Sequence, residues 1–419
     1  MPGVISTNHM KRRLPLLAVL GVIGPGVIAA SAGNDSGGIS TYSVAGARYG
    51  YTMLWMMLAM TPSFVIIQEM AGRMGAVTGK GFAALIRERF GVRPTFLAML
   101  MLLASNAATT IAEFAGIAAA MEIFGVTRYL SVPLAALVVW LLVVRGSYRN
   151  VEKVFLALSS VFIAYVVAAF LARPDWLEVG HAMVTPRIVP DRAFIALAIG
   201  LTGTTIAPWM QFLVQSNIVD KGTTVKEWIL ARWDVMAGAV AANVIACFII
   251  ITTATVLHPA GAVIESAEDA ASALAPLAGP YAELLFSVGL LSASLLAAAV
   301  LPLTAAYAIC EAFGWESGID RSWSEAPLFN GLYTGVILSS AAVILVPGID
   351  LIGIMLVSQV INGVLLPFLL VFMMRIVNDR AVMGRHVNGR AHNVLAWGTI
   401  LVVIALTAVL LGMTILGVG

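Results

Sequence analysis

The chain has 419 residues, of which 60% are hydrophobic and 11% charged, with a formal net charge of +2. So apolar a surface belongs in lipid rather than water, and so small a net charge, its cations scattered among connectors, argues against a nucleic-acid partner. The two cysteines, Cys247 and Cys310, fall in apolar stretches without CxxC or zinc-ligand spacing and read as small core residues.

Eleven apolar stretches approach the ~20 residues that cross a ~30 Å hydrocarbon core. They are expected at 14–46, 49–72, 94–124, 129–144, 154–172, 193–219, 235–257, 281–312, 331–347, 350–374 and 393–418. Lys11, Arg12 and Arg13 precede the first, which carries no small-residue cleavage site and so reads as a true span rather than a removable signal peptide.

The first span is interrupted by Gly33-Asn34-Asp35-Ser36-Gly37-Gly38, where paired glycines and an Asn-Asp step favour turns over helical hydrogen bonding. Unwound backbone at bilayer depth is tolerated only where it lines a cavity or packs inside protein, and Asp35 is too costly to leave facing lipid. The break therefore predicts half of a binding site. On the third span Asn106, Thr110 and Glu113 follow i, i+4, i+7 spacing and share one face, which must point into the bundle. Polar glue between helices would explain such a stripe, but an unneutralised carboxylate at this depth usually marks an ion or proton path. Asp35 and Glu113 are the only acids well inside a span; Glu69, Glu122, Asp234, Glu283 and Glu311 lie near predicted ends.

The sixth span carries its own interruption, Gly200-Leu-Thr-Gly203-Thr-Thr-Ile-Ala207-Pro208-Trp209. Spans one to five (14–173) and six to ten (192–378) then each begin with a broken helix. Five is odd, so the second unit lies inverted relative to the first, and paired interruptions point to a substrate site at the midplane. Two ordinary packing kinks are the competing account. The eleventh helix (392–419) lies outside the repeat. On the tenth span, Ser358-Gln359-Val-Ile-Asn362 is either packing between helices or, through the Gln359 carbonyl, a ligand for a cation or its water shell. All five histidines fall in connectors or terminal segments, so a hydrolase at membrane depth has no obvious base.

With the N-terminus inside, nineteen of the 24 lysines and arginines fall in cytoplasmic segments, leaving Arg48, Arg128, Arg173, Arg187 and Arg192 outside. This asymmetry predicts a cytoplasmic N-terminus and, with eleven spans, an external C-terminus.

Together, GPGVIAASAGNDSGG in the first span, IIQEMAGRMGAVTGKGFAAL ending the second, IAEFAG in the third, and SQV with LLPF in the tenth give the chain its likeness to a known family. Over essentially all eleven spans it resembles the natural resistance-associated macrophage protein (NRAMP) divalent-metal transporters. That resemblance implies an all-α polytopic fold of LeuT-like 5+5 inverted-repeat design, with helices 1 and 6 broken, one extra C-terminal helix, and alternating access. Where typical members carry Asp-Pro-Gly-Asn, this chain has Asp35-Ser36-Gly37-Gly38; where they carry Met-Pro-His, it has Ala207-Pro208-Trp209. The departures look like the NRAMP-related magnesium transporters, a divergent branch.

The departures have a chemical reading. A thioether favours transition metals, whereas Mg²⁺ takes oxygen ligands and gives up its waters reluctantly. Ala207 removes the soft ligand and Gly38 removes an amide, leaving a roomy oxygen set: Asp35, Glu113, the Thr110 hydroxyl, the Gln359 amide oxygen and, by position, the Thr204 carbonyl. By alignment Thr110 stands in place of a family aspartate and Trp209 in place of a histidine, and neither titrates near neutral pH.

The expectation is a secondary transporter, not an enzyme, that moves Mg²⁺ and also Mn²⁺ as a partly hydrated ion across the cytoplasmic (inner) membrane without strict proton coupling. Its partners are divalent ions and the lipid bilayer, with no cofactor and no obligatory protein partner. The alternatives are a proton-coupled Mn²⁺/Fe²⁺ importer and a sodium-coupled amino-acid transporter of the same fold. Against the latter, Asp35 would repel a substrate carboxylate at the helix terminus.

Overall fold

A computed structural model describes residues 35–144, 164–319 and 321–417. The first part of the expected first span (14–34), the start of the fifth (154–163) and the cations at 11–13, 145, 149 and 153 lie outside the described residues. Within them the chain is helical throughout, with no strand.

Helix α1 spans Ser36–Tyr49 and passes into α2, Leu54–Thr78, through a short 3-10 turn opened by Gly50, whose φ of 56° is one that a side chain would resist. There follow α3 (Phe82–Phe90), α4 (Val92–Ile123), α5 (Arg128–Val144), α6 (Ala164–Ala172) and α7 (Trp176–Val184). The second half comprises α8 (Arg192–Thr205), α9 (Pro208–Asp220), α10 (Val225–Val256), α11 (Ala282–Phe313), α12 (Pro327–Ile344), α13 (Leu351–Val377) and α14 (Arg390–Leu416).

By length and apolar composition, eight stretches of the described residues are able to cross a membrane, and Arg128–Val144 is a shorter apolar helix. The expected eleven is not reached by this measure. Helices α1 and α2 run on as one stretch, Ser36–Thr78, and the fifth expected span is described only from residue 164. Elsewhere the sequence boundaries fall short where capping extends a helix. Helix α10 starts at Val225 rather than 235 because Thr224 and Glu227 form a reciprocal capping box. Helices α3 and α7, too short to span, had no counterpart in the hydropathy pattern. Asp175 opens α7 by accepting from the amides of Leu177 (2.9 Å) and Glu178 (3.3 Å).

The sixth-span break is sharper than its composition suggests. Gly200 and Gly203 remain helical, and the chain opens only at Ile206 (φ −124°, ψ 58°) and Ala207 (φ −63°, ψ 141°). Pro208 then starts α9 at the first helical position, where its missing N–H costs nothing. The glycines serve close approach instead. A Cβ on Gly203 would strike the Gln359 carbonyl and the Gly363 backbone, and one on Gly363 would strike the Ile199 carbonyl, so α8 and α13 cross backbone to backbone.

Helix α4 packs between α11 and α13, while α1 packs on α10, α13, α8 and α4. The N-terminus of α1 is thereby held among four helices. At the periphery α14 buries only Ala396, Ile400 and Val403, and leaves side chains such as Val394, Leu401 and Ile415 outward, as a lipid-facing helix does.

Candidate functional site

Asp35 is the N-cap of α1, in extended conformation, and is 3% exposed. Its Oδ1 accepts from the Gly38 amide at 2.7 Å, which satisfies one of the free N–H groups of the first turn and sets the carboxylate at the positive end of the helix. The absence of a side chain at Gly37 lets this turn enter the bundle, since a Cβ there would collide with the Gln359 amide.

Glu113, fully buried on α4, reaches the same turn. Its Oε2 accepts from the Ser36 hydroxyl at 2.8 Å and from the Ser36 amide at 3.3 Å. The Ser36 hydroxyl also lies 2.9 Å from the Ala112 carbonyl. One hydroxyl proton cannot serve both acceptors at once. With Glu113 ionised, Ser36 donates to the carboxylate; with Glu113 protonated, the acid donates to Ser36, whose hydroxyl in turn donates a hydrogen bond to the Ala112 carbonyl. The contact accommodates either protonation state of Glu113. Gly116, one turn on, admits the close approach of Ser36 and Ser294 that a side chain there would block. Asp35 lies within electrostatic reach of Glu113 and of Tyr42.

On the opposite side, the Tyr42 hydroxyl pairs with Thr205 Oγ1 at 3.3 Å and has Thr204 beside it, which ties α1 to the end of α8. Thr204 is in the last turn of that helix, where the final carbonyls have no intrahelical donor and the helix dipole favours a cation. Gln359 is fully buried on α13. Its Oε1 accepts from Asn362 Nδ2 at 3.0 Å, and its Nε2, without a hydrogen-bond partner, lies by Gly37.

Of the eight residues singled out by sequence, Asp35, Gly38, Glu113, Gln359 and Thr204 are gathered around the first turns of α1. Thr110 lies one turn before Glu113 on α4; its hydroxyl donates to the Asn106 carbonyl at 2.7 Å, leaving lone pairs free. Ala207 and Trp209 are buried with Ile206 and Met210 in an apolar cluster, and among the described residues no hydrogen bond joins the Trp209 indole to either carboxylate. Among the described residues, no group of three or more His, Cys, Asp or Glu side chains is placed so that it could hold a metal ion, and the carboxylates gathered at the start of α1 are Asp35 and Glu113.

Sequence reasoning missed Ser36, which holds Glu113, and Tyr42, which closes the α8 side. Ser36 was part of the interrupted motif, but a serine there reads as a helix breaker until its partner is known. The Ser105–Asn362–Thr109 bonds (2.6 and 2.8 Å) between α4 and α13 show that Asn362 is used in helix packing. Replacing Ser36 with Ala is expected to lower the melting temperature without preventing folding. A hydrogen bond to a charged group contributes about 1.5–3 kcal/mol. Unchanged melting would show that the Ser36–Glu113 contact does not help to hold α1 against α4.

Residues 26–412 match the model of a family described as natural resistance-associated macrophage protein-like. A relative named divalent metal cation transporter MntH, from Deinococcus radiodurans, is 31% identical over 98% of this chain and 92% of its own length. One of the same name from Burkholderia ambifaria is 28% identical over 95% and 90%. Among solved structures, an Eremococcus coleocola manganese transporter superposes with a TM-score of 0.76 at 22% identity, covering 98% of this chain and 88% of that one. MhsT in complex with L-phenylalanine superposes at 0.60 with 15% identity, covering 93% and 98%. The fold is therefore LeuT-like, with α1 starting behind the extended Asp35 and the chain opening between α8 and α9.

Proposed function

Since this chain belongs to the natural resistance-associated macrophage protein-like family, whose members are transporters that carry divalent metal as substrate and need no cofactor, we propose that it moves Mg²⁺, and also Mn²⁺, across the cytoplasmic membrane by alternating access. The observation that carries this reading is the buried carboxylate pair, Asp35 at the start of α1 and Glu113 beside it, with no thioether at position 207. Two negative charges in a buried site attract a divalent cation strongly. Oxygen donors hold Mg²⁺ and Mn²⁺ alike, and a site with only two charged ligands leaves coordination places to water, which Mg²⁺ keeps reluctantly bonded. Asp35 is the primary ligand and Glu113 the second, with the Thr204 carbonyl and the Thr110 hydroxyl in support. Residues 14–173 and 192–378 are the two inverted repeats. The basic loop ends face the cytoplasm, with the N-terminus inside.

A second reading is proton-coupled Mn²⁺ import: the Eremococcus neighbour is called a manganese transporter, and the Ser36–Glu113 contact accepts Glu113 with or without its proton. Proteoliposome uptake separates the two. Excess Mg²⁺ should suppress Mn²⁺ uptake by the wild-type chain, and the combined Ala207→Met and Gly38→Asn change should weaken that suppression. A pH-sensitive dye in the lumen should report no acidification with uptake. Failure of Mg²⁺ to compete would leave a transition-metal importer, and acidification in step with the metal would make Glu113 the proton carrier.

A further inference from the structure

At the basic end of the molecule, a cavity of about 510 Å³ opens between α3, α13 and α14, lined by Arg89, Phe90, Arg375, Asp379, Asn393 and Trp397 among others. It shares α13 with Gln359 but is lined by none of the residues gathered at the start of α1, and it is of the size of small-ligand sites. Arg89 is paired with Asp379 at 2.6 Å, and Asp379 is further held by the Ala381 amide at 2.9 Å. Arg375 is exposed, in the last turn of α13, and has no carboxylate within ion-pair distance among the described residues. Two cations and one carboxylate leave the cavity with one uncompensated positive charge, supplied by Arg375. Asn378 and Asn393 are bonded to each other at 2.9 and 3.0 Å and stiffen the floor.

The apolar walls continue from this polar end in one direction. Along α13, Arg375 is followed backwards by Phe372 and Phe368, the latter 50% exposed, and along α14 Trp397 (37%) leads to Leu401 (63%). Helices α13 and α14 pack together, and Phe372 is braced edge-on by Phe90 at 5.1 Å. An indole beside an arginine at the end of outward apolar helix faces is the arrangement expected at a membrane–water interface. We propose that this cavity binds the headgroup of an anionic glycerophospholipid, its single phosphodiester charge taken by Arg375 and its acyl chains lying along Phe368 and Leu401. A basic pocket between spanning helices, opening to one leaflet, suits such a ligand. A zwitterionic lipid would bring a second positive group to a cavity that already has one too many. The inference does not depend on which metal is carried.

The test is native mass spectrometry of the full-length chain taken from vesicles of equal phosphatidylglycerol and phosphatidylcholine. Wild-type protein should retain phosphatidylglycerol in about fivefold preference, the factor that one interfacial cation contributes. Arg375→Gln should lose that preference, Trp397→Leu should reduce it, and Arg375→Lys should keep most of it. Arg385→Gln, a basic residue at the same end outside the cavity, should leave it unchanged. Millimolar inorganic phosphate should not displace the lipid. Equal retention of both lipids by the wild type, or an undiminished preference in Arg375→Gln, overturns the proposal. Displacement by inorganic phosphate would also overturn it and make the cavity a site for soluble anions.

Discussion

Asp35→Asn is expected to bring Mg²⁺ and Mn²⁺ uptake into liposomes to background while leaving the melting temperature close to that of the wild type. An asparagine oxygen still caps α1 by accepting from the Gly38 amide, so the turn survives and only the charge is lost. Asp35→Ala should show the same loss of uptake together with lower stability, because the cap, worth about 1 kcal/mol, is removed as well. The comparison separates the carboxylate as ligand from the carboxylate as helix cap. With Glu113 as the remaining buried acid, the proposed site has half its negative charge and a much weaker attraction for a partly hydrated divalent ion. Wild-type flux in either variant would remove Asp35 from the mechanism. Glu113→Gln should be less severe in its effect on Mg²⁺ if that contact is made through water, since a bridging water is readily replaced.

Gly203→Ala is expected to lower the melting temperature sharply, and Gly203→Leu to prevent folding. The added Cβ has no room: it meets the Gln359 carbonyl and the Gly363 backbone, which belong to a helix and cannot rotate away as a side chain would. Overpacking of a core costs about 1–3 kcal/mol even where side chains yield, and here the crossing of α8 and α13 must open. Gly331→Ala supplies the opposite sign. That glycine is exposed within α12 and a Cβ there meets nothing within 4 Å, so alanine should be neutral or stabilising by up to about 1 kcal/mol through helix propensity. Thermal unfolding of the detergent-solubilised protein followed by tryptophan fluorescence reads both. Equal melting of Gly203→Ala and wild type would show that the two helices need no such contact.

Gly203 marks where sequence reasoning goes astray in physical terms. A glycine in an apolar stretch weakens the helix and also permits close packing, and propensity registers only the first effect. With a neighbouring helix pressed against it, the stretch through Gly203 stays helical, and the opening moves to Ile206 and Ala207, where Pro208 removes a donor and tertiary contact does not compensate. The short helices α3 and α7 escaped for a different reason. Neither is long enough to stand out from a connector, and the start of α7 is set by the Asp175 cap.

By itself the sequence determined that the protein is a helical membrane protein, where most of its long helices lie, and that Asp35 and Glu113 are the acids at depth. Those features are local, because a run of apolar residues must meet lipid and a lone carboxylate among them stands out in any fold. Only the tertiary structure decided that both acids meet the first turn of α1, that Ser36 holds Glu113 there, that the Gln359 nitrogen lies against Gly37, and that Arg375 is left without a carboxylate beside Trp397. These depend on which helix faces cross. Residues separated by 77 or more positions, as Ser36 and Glu113 are, meet through packing geometry that no spacing along the chain encodes.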